Sequence, residues 1–410
     1  MTVLAEAPWT STGTKVTAVR TFLTAPQGPP YLVVRVETSQ PGLYGLGCAS
    51  DPQRTLAVRS VIDDYLGPML LGRDPGDIED IHRLLLNSGY WRGGSIEGNA
   101  LAGIDVALWD IKAKAAGLPL FSLLGGRVRE GAAAYTHVHG SEADEIIDLV
   151  EAAVTRGFRH VRVQVSVPGT DTYGAGPLSR GRDGHWDSLA YLRMVPEVLG
   201  AVRQGVPDGT ELLHDVHERL TPAQARRFLA AVEDLHLFFA EDVLAPEDAA
   251  HFAGLRACGV PLAMGELFHD VSQFLPLVQR RLIDFARIRI PALGGLTPVR
   301  KLVAACELNG IRIAPHGPGD VSPIGQAANL ALDISAHSFG IQEAATPTEA
   351  TLDVFPGTPV PEQGQLHPSL TPGLGVEFDE KKARRYPPPE PGDHDRWALL
   401  RATDGSAHRP

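Results

Sequence analysis

Cysteine is scarce in this chain. Cys48, Cys258 and Cys306 are the only three in 410 residues, and no CxxC pair occurs. An odd count at wide spacing excludes a disulfide framework and predicts free thiols in a reducing compartment. Long apolar runs are also missing. No stretch approaches the roughly 20 consecutive apolar residues of a membrane-spanning helix. The opening MTVLAEAPWTSTGT lacks the basic start and apolar core of a secretory signal, so a cytoplasmic location is expected. Basic residues are in deficit, with 37 Lys and Arg against 49 Asp and Glu, a net charge of −12. That balance provides no electrostatic footprint for nucleic acid or an anionic membrane. It still permits an acidic small molecule, provided local Arg, Lys or metal receives it. With 43% hydrophobic and 21% charged residues, the rest is ordinary for a globular protein with a large core or two domains.

Residues 1–14 read as a flexible extension. VTAVRTFLTA and YLVVRVETSQPGLYGLG alternate in the β manner and read as antiparallel strands of a small first domain, 15–128. Helical patterns follow from about Pro52 to Leu86. After the Gly-rich loop SGYWRGGSIEGN comes a helix, NALAGIDVALWDIKAKAAG, stopped by Gly117 and Pro119. From about Gly131 the texture changes to short strand-like runs alternating with helices. Eight such runs can be read: AAAYTHV, HVRVQVSV, ELLHDV, LFFAEDV, PLAMGE, DFARIRI, IRIAPHG and SFGIQE. Strict alternation predicts an α/β fold with a parallel sheet, and eight units predict a closed barrel over 129–345. The Pro- and Gly-rich segment 346–410 is expected to return to the first domain.

Three acids stand at the ends of three successive runs: Asp215, Glu241 and Glu266, spaced 26 and 25 residues apart. A strand–helix unit of a barrel takes roughly 30 residues. Each acid alone is usually a helix cap or a solvated loop charge. Three in step on neighbouring strands converge on one point, and three convergent oxygen ligands describe a hard divalent cation, Mg2+ above all. Active sites of such barrels lie at the C-terminal strand ends. Further candidates there are His137 (with His139 beside it), Arg162, Tyr173 in the long loop after the second run, His217, Arg287, His316, Asp320 and Glu343. His214 precedes Asp215 and would point the opposite way on a strand. A cation held by carboxylates can grip a substrate carboxylate and stabilise an enediolate. Such chemistry also needs a base and an acid. His suits either role untuned, whereas Tyr needs a nearby cation, which Arg162 could supply.

These motifs resemble the enolase superfamily, in its mandelate-racemase-like group, and within it the D-mannonate dehydratase family. The signatures are YWRGG at Tyr90–Gly94, ALWDIKAKAAGLPLFSLLGG at Ala107–Gly126, HDVHERLTP at His214–Pro222, AED at Ala240–Asp242, GELF at Gly265–Phe268, HGPGDVSP at His316–Pro323 and GIQE at Gly340–Glu343. The resemblance implies a modified (β/α)7β TIM-type barrel under an N-terminal α+β capping domain, and a homo-oligomer. It implies Mg2+ on Asp215, Glu241 and Glu266. Tyr173, assisted by Arg162, would remove the C2 proton of an acid sugar. His217 would assist loss of the 3-hydroxyl, giving a 2-keto-3-deoxy acid. His137, Arg287, His316, Asp320 and Glu343 would contact substrate or support those that do.

The departures are as informative. Racemase and lactonising relatives carry a KxK motif on the second strand, where this chain has RHVRVQV. Mandelate-racemase types pair the seventh-strand His with a sixth-strand Asp, a position that falls on Arg289 here. The cap loop reads GLGCASDPQR, where efficient dehydratases resemble GWGDATLNGRE, Gly-Pro-Gly follows His316, and the C-terminus ends DGSAHRP. The resemblance makes D-mannonate the first expected substrate, and these departures bring in D-gluconate as the second. The rivals are a dehydratase of another acid sugar and a scarcely active member serving regulation or ligand binding.

Overall fold

The computed structural model describes residues 13–167, 185–390 and 400–408. The first domain opens with an antiparallel sheet of β1 (Val16–Thr24), β2 (Tyr31–Thr38) and β3 (Tyr44–Cys48), in that order. Against it lies α1 (Ser95–Ala115). This helix begins earlier than its apolar pattern suggests, because Glu97 accepts from the Gly93 amide at 2.6 Å and closes the first turn within the Gly-rich loop. The approach of α1 to β3 is backbone to backbone. A Cβ on Gly47 would sit 1.8 Å from the Gly103 carbonyl oxygen, so only glycine fits there. Buried Asp110 of α1 accepts from the amides of Leu46 and Leu374, and so ties β3 to the C-terminal segment. Phe378 packs on Phe22, and Glu380 pairs with Arg35 at 3.0 Å.

Eight parallel strands follow: β4 (Ala132–Gly140), β5 (His160–Val165), β6 (Glu211–Asp215), β7 (Phe239–Glu241), β8 (Leu262–Met264), β9 (Phe285–Ala286), β10 (Arg312–Ile313) and β11 (Gln342–Glu343). Each pairs with the next from β4 to β10, and β11 pairs with β4. The ring closes where Ile313 bridges Phe339, with the Ile313 amide donating to Ser338 and the Gly340 amide to Ile313, both at 2.8 Å. The crossovers are α2 (Ala143–Thr155), α3 (Ser188–Gly205), α4 (Pro222–Val232), a 3-10 stretch (Pro246–Gly254), α5 (Val271–Gln279), α6 (Leu296–Asn309) and α7 (Pro323–Ser335). Seven crossovers between eight strands give the (β/α)7β form. Regular pairing in the last three strands spans only two residues each. The hydrogen bonds nonetheless continue past them, as from the His316 amide to the Ile288 carbonyl at 2.9 Å.

Three crossover helices carry readable start signals, the first being α3, where Asp187 accepts from the Leu189 and Ala190 amides. Thr221 and Gln224 form a capping box at α4, and Asp270 and Gln273 form another at α5. Inside the barrel Tyr135, Leu213, Phe239, Ala263, Phe285, Ala314 and Ile341 make a closed apolar layer. The three cysteines are unpaired, and among the described residues no helix is long and apolar enough to cross a membrane.

Candidate active site

Strand periodicity builds the site from that apolar layer. Side chains two residues apart share a face, so the inward positions after Tyr135, Leu213, Phe239, Phe285, Ala314 and Ile341 are His137, Asp215, Glu241, Arg287, His316 and Glu343. Asp215 and Glu241 are direct partners in the β6–β7 register, as His137 and Arg162 are in β4–β5. On β8 the rule breaks. The residue two past Ala263 is Gly265, at φ +133, and this turn delivers Glu266 instead. A Cβ on Gly265 would strike the Phe274 ring at 2.3 Å. Asp242 Oδ1 accepts from the Gly265 amide at 3.0 Å and steadies the turn.

Asp215, Glu241 and Glu266 each offer a carboxylate oxygen within 4.8 Å of the other two. Mg2+ takes oxygens at about 2.0–2.1 Å, so opposite ligands lie about 4 Å apart, and the trio has the right size. Charge points the same way. Arg162 Nη1 lies 3.1 Å from Asp215 Oδ2 and 3.3 Å from both Glu241 Oε2 and Glu343 Oε1. Arg287 is wholly buried, with Nε on Glu241, Nη2 on Glu343 at 2.6 Å and Nη1 donating to the Ala314 carbonyl at 2.8 Å. Four carboxylates thus face two guanidiniums, leaving two negative charges for a divalent cation when all are ionised.

The crowding is visible in the acidities. Burial pushes Glu241 up to about 7, with Asp215 adding to the rise and Arg287 opposing it. Burial also works against ionised Glu266, but His316 outweighs it and brings the group down to about 2. At Asp215 the burial penalty is overcome by His217 and Arg162, and at Glu343 by Arg287 and Arg162, so both are held below the usual carboxylate range. Burial and Arg162 lower His137.

His217 Nε2 sits 3.0 Å from Asp215 Oδ2, and the His217 amide donates to Asp215 Oδ1 at 2.8 Å. His217 itself is in the left-handed region at φ +52. His137 Nε2 lies 2.7 Å from Glu343 Oε1, and His316 Nε2 lies 3.2 Å from Glu266 Oε1. Asp320 meets Arg289 at 3.2 Å. Tyr173 falls in 168–184, outside the described residues. His139 is exposed on β4 and makes none of these contacts, and the remaining candidates are brought to this one mouth. His214 faces outward, held by the Val163 carbonyl and the Tyr191 hydroxyl, both at 2.7 Å, and burial lowers it to about 4. One site residue went unread as a contributor: Arg289, whose Nη1 is 3.0 Å from His316 Nδ1. Its signal is parity, two residues past Arg287 in the segment that continues β9.

Comparison with known proteins agrees with this geometry. The family model described as mandelate racemase / muconate lactonizing enzyme, N-terminal domain, matches residues 2–125, and the enolase C-terminal domain-like model matches 145–382. A D-galactonate dehydratase family member from Streptomyces sp. (strain SPB78) is 69% identical, covering 100% of this chain and 95% of its own. Another, SEN1436 from Salmonella enteritidis PT4, is 43% identical over 97% of this chain and 99% of its own. A crystal structure of an enolase from Pantoea ananatis with bound D-gluconate and Mg superposes with a TM-score of 0.92 at 42% identity, covering 97% of this chain and 100% of that one. A barrel of this topology, a carboxylate trio on its third to fifth strands and relatives matched along nearly their whole length place this chain in the enolase superfamily, in the mandelate-racemase-like group, among the D-galactonate dehydratase family.

Proposed function

We propose that this protein is a Mg2+-dependent acid-sugar dehydratase that converts D-mannonate, and as second substrate D-gluconate, to 2-keto-3-deoxy-D-gluconate. The observation that carries the reading is the trio Asp215, Glu241 and Glu266 at one barrel mouth, with ligand oxygens within 4.8 Å. When bound there, Mg2+ stabilises the negative charge that develops on the substrate carboxylate. The protein supplies the rest. Tyr173 removes the C2 proton, its hydroxyl acidified by Arg162. His217, partly open to the mouth beside Asp215, gives a proton to the departing 3-hydroxyl. His137, His316 and Asp320 orient the sugar acid. Arg287, anchored by Glu343, holds Glu241 in place.

Substrate choice falls to the cap. The loop GLGCASDPQR and the Gly-Pro-Gly turn after His316 favour relaxed or altered selectivity. The family name of the relatives adds D-galactonate to the panel. The test is 2-keto-3-deoxy acid formation from D-mannonate, D-gluconate, D-galactonate and pentonates, with Mg2+ and with EDTA. Metal-dependent turnover of D-mannonate or D-gluconate supports the reading and ranks the two. No turnover of any acid sugar by Mg2+-loaded protein defeats it in favour of a ligand-binding role. A Tyr173→Phe variant of unchanged activity would remove Tyr173 as the base.

A further inference from the structure

Arg289 is buried at the barrel mouth, and the chemistry above leaves it without a task. Its guanidinium meets three partners. Nη1 lies 3.0 Å from His316 Nδ1 and 3.2 Å from Asp320 Oδ2, and Nη2 donates to the Ser50 carbonyl at 3.0 Å. A guanidinium only donates hydrogen bonds and keeps its proton in proteins. The ring nitrogen facing it must therefore accept, so Nδ1 of His316 carries no proton. The ring proton belongs on Nε2, which lies 3.2 Å from Glu266 Oε1, an acceptor when ionised. Both contacts select one tautomer. A carboxylate in place of Arg289 would do the reverse: it would accept from Nδ1–H and leave Nε2 free to act as a base.

We propose that Arg289 is a positioning residue that locks His316 in the Nε2–H form, so that His316 presents a fixed hydrogen-bond donor and leaves no ring nitrogen free to act as a base. The inference deepens the dehydratase reading and rests on it for the identity of the ligand. It leaves the C2 proton to Tyr173, and the one Nε2–H, which faces Glu266 Oε1 in the sugar-free site, is the donor that a substrate oxygen entering beside Glu266 would take. Asp320 balances the Arg289 charge, so the guanidinium is not a lone buried cation. The His316 backbone is pinned as well, its carbonyl accepting from Asn329 Nδ2 at 3.0 Å. The same arginine reaches the cap. Ser50 lies in the loop GLGCASDPQR, and Tyr31 of β2 donates its hydroxyl to the Gly319 carbonyl at 2.8 Å in the turn after His316. One side chain thus sets the proton of His316 and the seat of the cap loop above it.

Glu266 belongs to the trio that would hold Mg2+, so the measurement is made with Mg2+ and no sugar. Full-length protein labelled with 15N-histidine gives ring 1H–15N correlations, and the His316 signal is identified by its loss in His316→Gln. The expected pattern is protonated Nε2 and unprotonated Nδ1. Arg289→Lys, which keeps a donor, retains it, whereas Arg289→Met loses it. A proton on Nδ1 of the wild type, or the same pattern in Arg289→Met, overturns the proposal. The wild-type spectrum decides by itself even if Arg289→Met does not fold. Because no substrate is present, this result is independent of whether the protein dehydrates acid sugars. On a substrate that is turned over, kcat should fall about 10–100-fold in Arg289→Met, the usual cost of losing a residue that orients a site histidine. KM should move less, and Arg289→Lys should recover most of the loss. Equal losses in the two variants would reduce Arg289 to a cap anchor and likewise overturn the proposal.

Discussion

Two layers of the barrel interior, one inward position apart, have opposite chemistry. The lower is Tyr135, Leu213, Phe239, Ala263, Phe285, Ala314 and Ile341, apolar but for one hydroxyl. The upper is His137, Asp215, Glu241, Glu266, Arg287, His316 and Glu343, with Arg162 reaching in from β5. The strands are the same and the ladder is the same, so secondary structure does not separate them. The lower layer is held by shape and apolar burial, which tolerate exchange at similar volume. The upper is held by a balance of buried charge, which tolerates very little. Tyr135 stands between them, with the Arg287 and Arg162 guanidinium carbons 5.8 and 6.0 Å from its ring centre.

The sharpest way to break the contrast is in the upper layer. Arg287→Met leaves Glu241 and Glu343 buried with only Arg162 of their two shared guanidiniums and should destabilise the fold by about 3–5 kcal/mol. Urea denaturation measures it, and adding Glu343→Gln should return part of the loss. A full-sized loss that Glu343→Gln does not relieve would mean that packing, not charge, governs this layer. In the lower layer Phe239→Ala should cost about 3–5 kcal/mol through its cavity. Phe239→Leu should cost less than about 1.5 kcal/mol and leave Mg2+ affinity unchanged by calorimetry.

Mg2+ at 100 times its Kd should stabilise the protein by about 2.7 kcal/mol. EDTA should reverse the rise in Tm, and Asp215→Asn should abolish it. The pH dependence of the metal-free protein sharpens the same contrast. Glu241 has a folded pKa raised by burial to about 7, so its contribution is present below the ordinary carboxylate range and is lost as pH rises toward 7. Glu266 is lowered to about 2, so its contribution is present above that range and is lost as pH falls toward 2. Saturating Mg2+ should flatten the loss between about pH 4.5 and 7, because the cation replaces the proton that Glu241 holds. A loss unchanged by Mg2+ would place the cation elsewhere. The smallest effect lies outside both layers. Thr221→Ala removes the capping box of α4 and should cost about 1 kcal/mol without altering Mg2+ affinity.

Much of this was legible in advance. The eight runs read from the sequence are the eight barrel strands, and the acids in step on three of them do meet. Parity on a strand is a local rule, so Leu213 and Asp215, or Ile341 and Glu343, share a face in any parallel barrel. Glu266 breaks that parity, and the reason lies in Gly265, a residue whose positive φ is settled by the Phe274 ring packed against it. Arg289 could be seen as a missing Asp, but not as a donor on His316, because that contact joins two strands to a cap loop more than 230 residues earlier in the chain.

By itself the sequence determined the periodicities: which stretches alternate, where helices are capped, and which acids recur at the barrel interval. These depend on neighbours along the chain and on the spacing of side chains along strands and helices. Only the tertiary structure decided the pairings across the mouth: Arg162 among three carboxylates, Arg287 sealed beneath Glu241 and Glu343, and Arg289 facing His316 and Ser50. The physical reason is that a buried charge is settled by the few groups within hydrogen-bonding distance, and closure of the barrel draws those groups from strands and loops far apart in sequence.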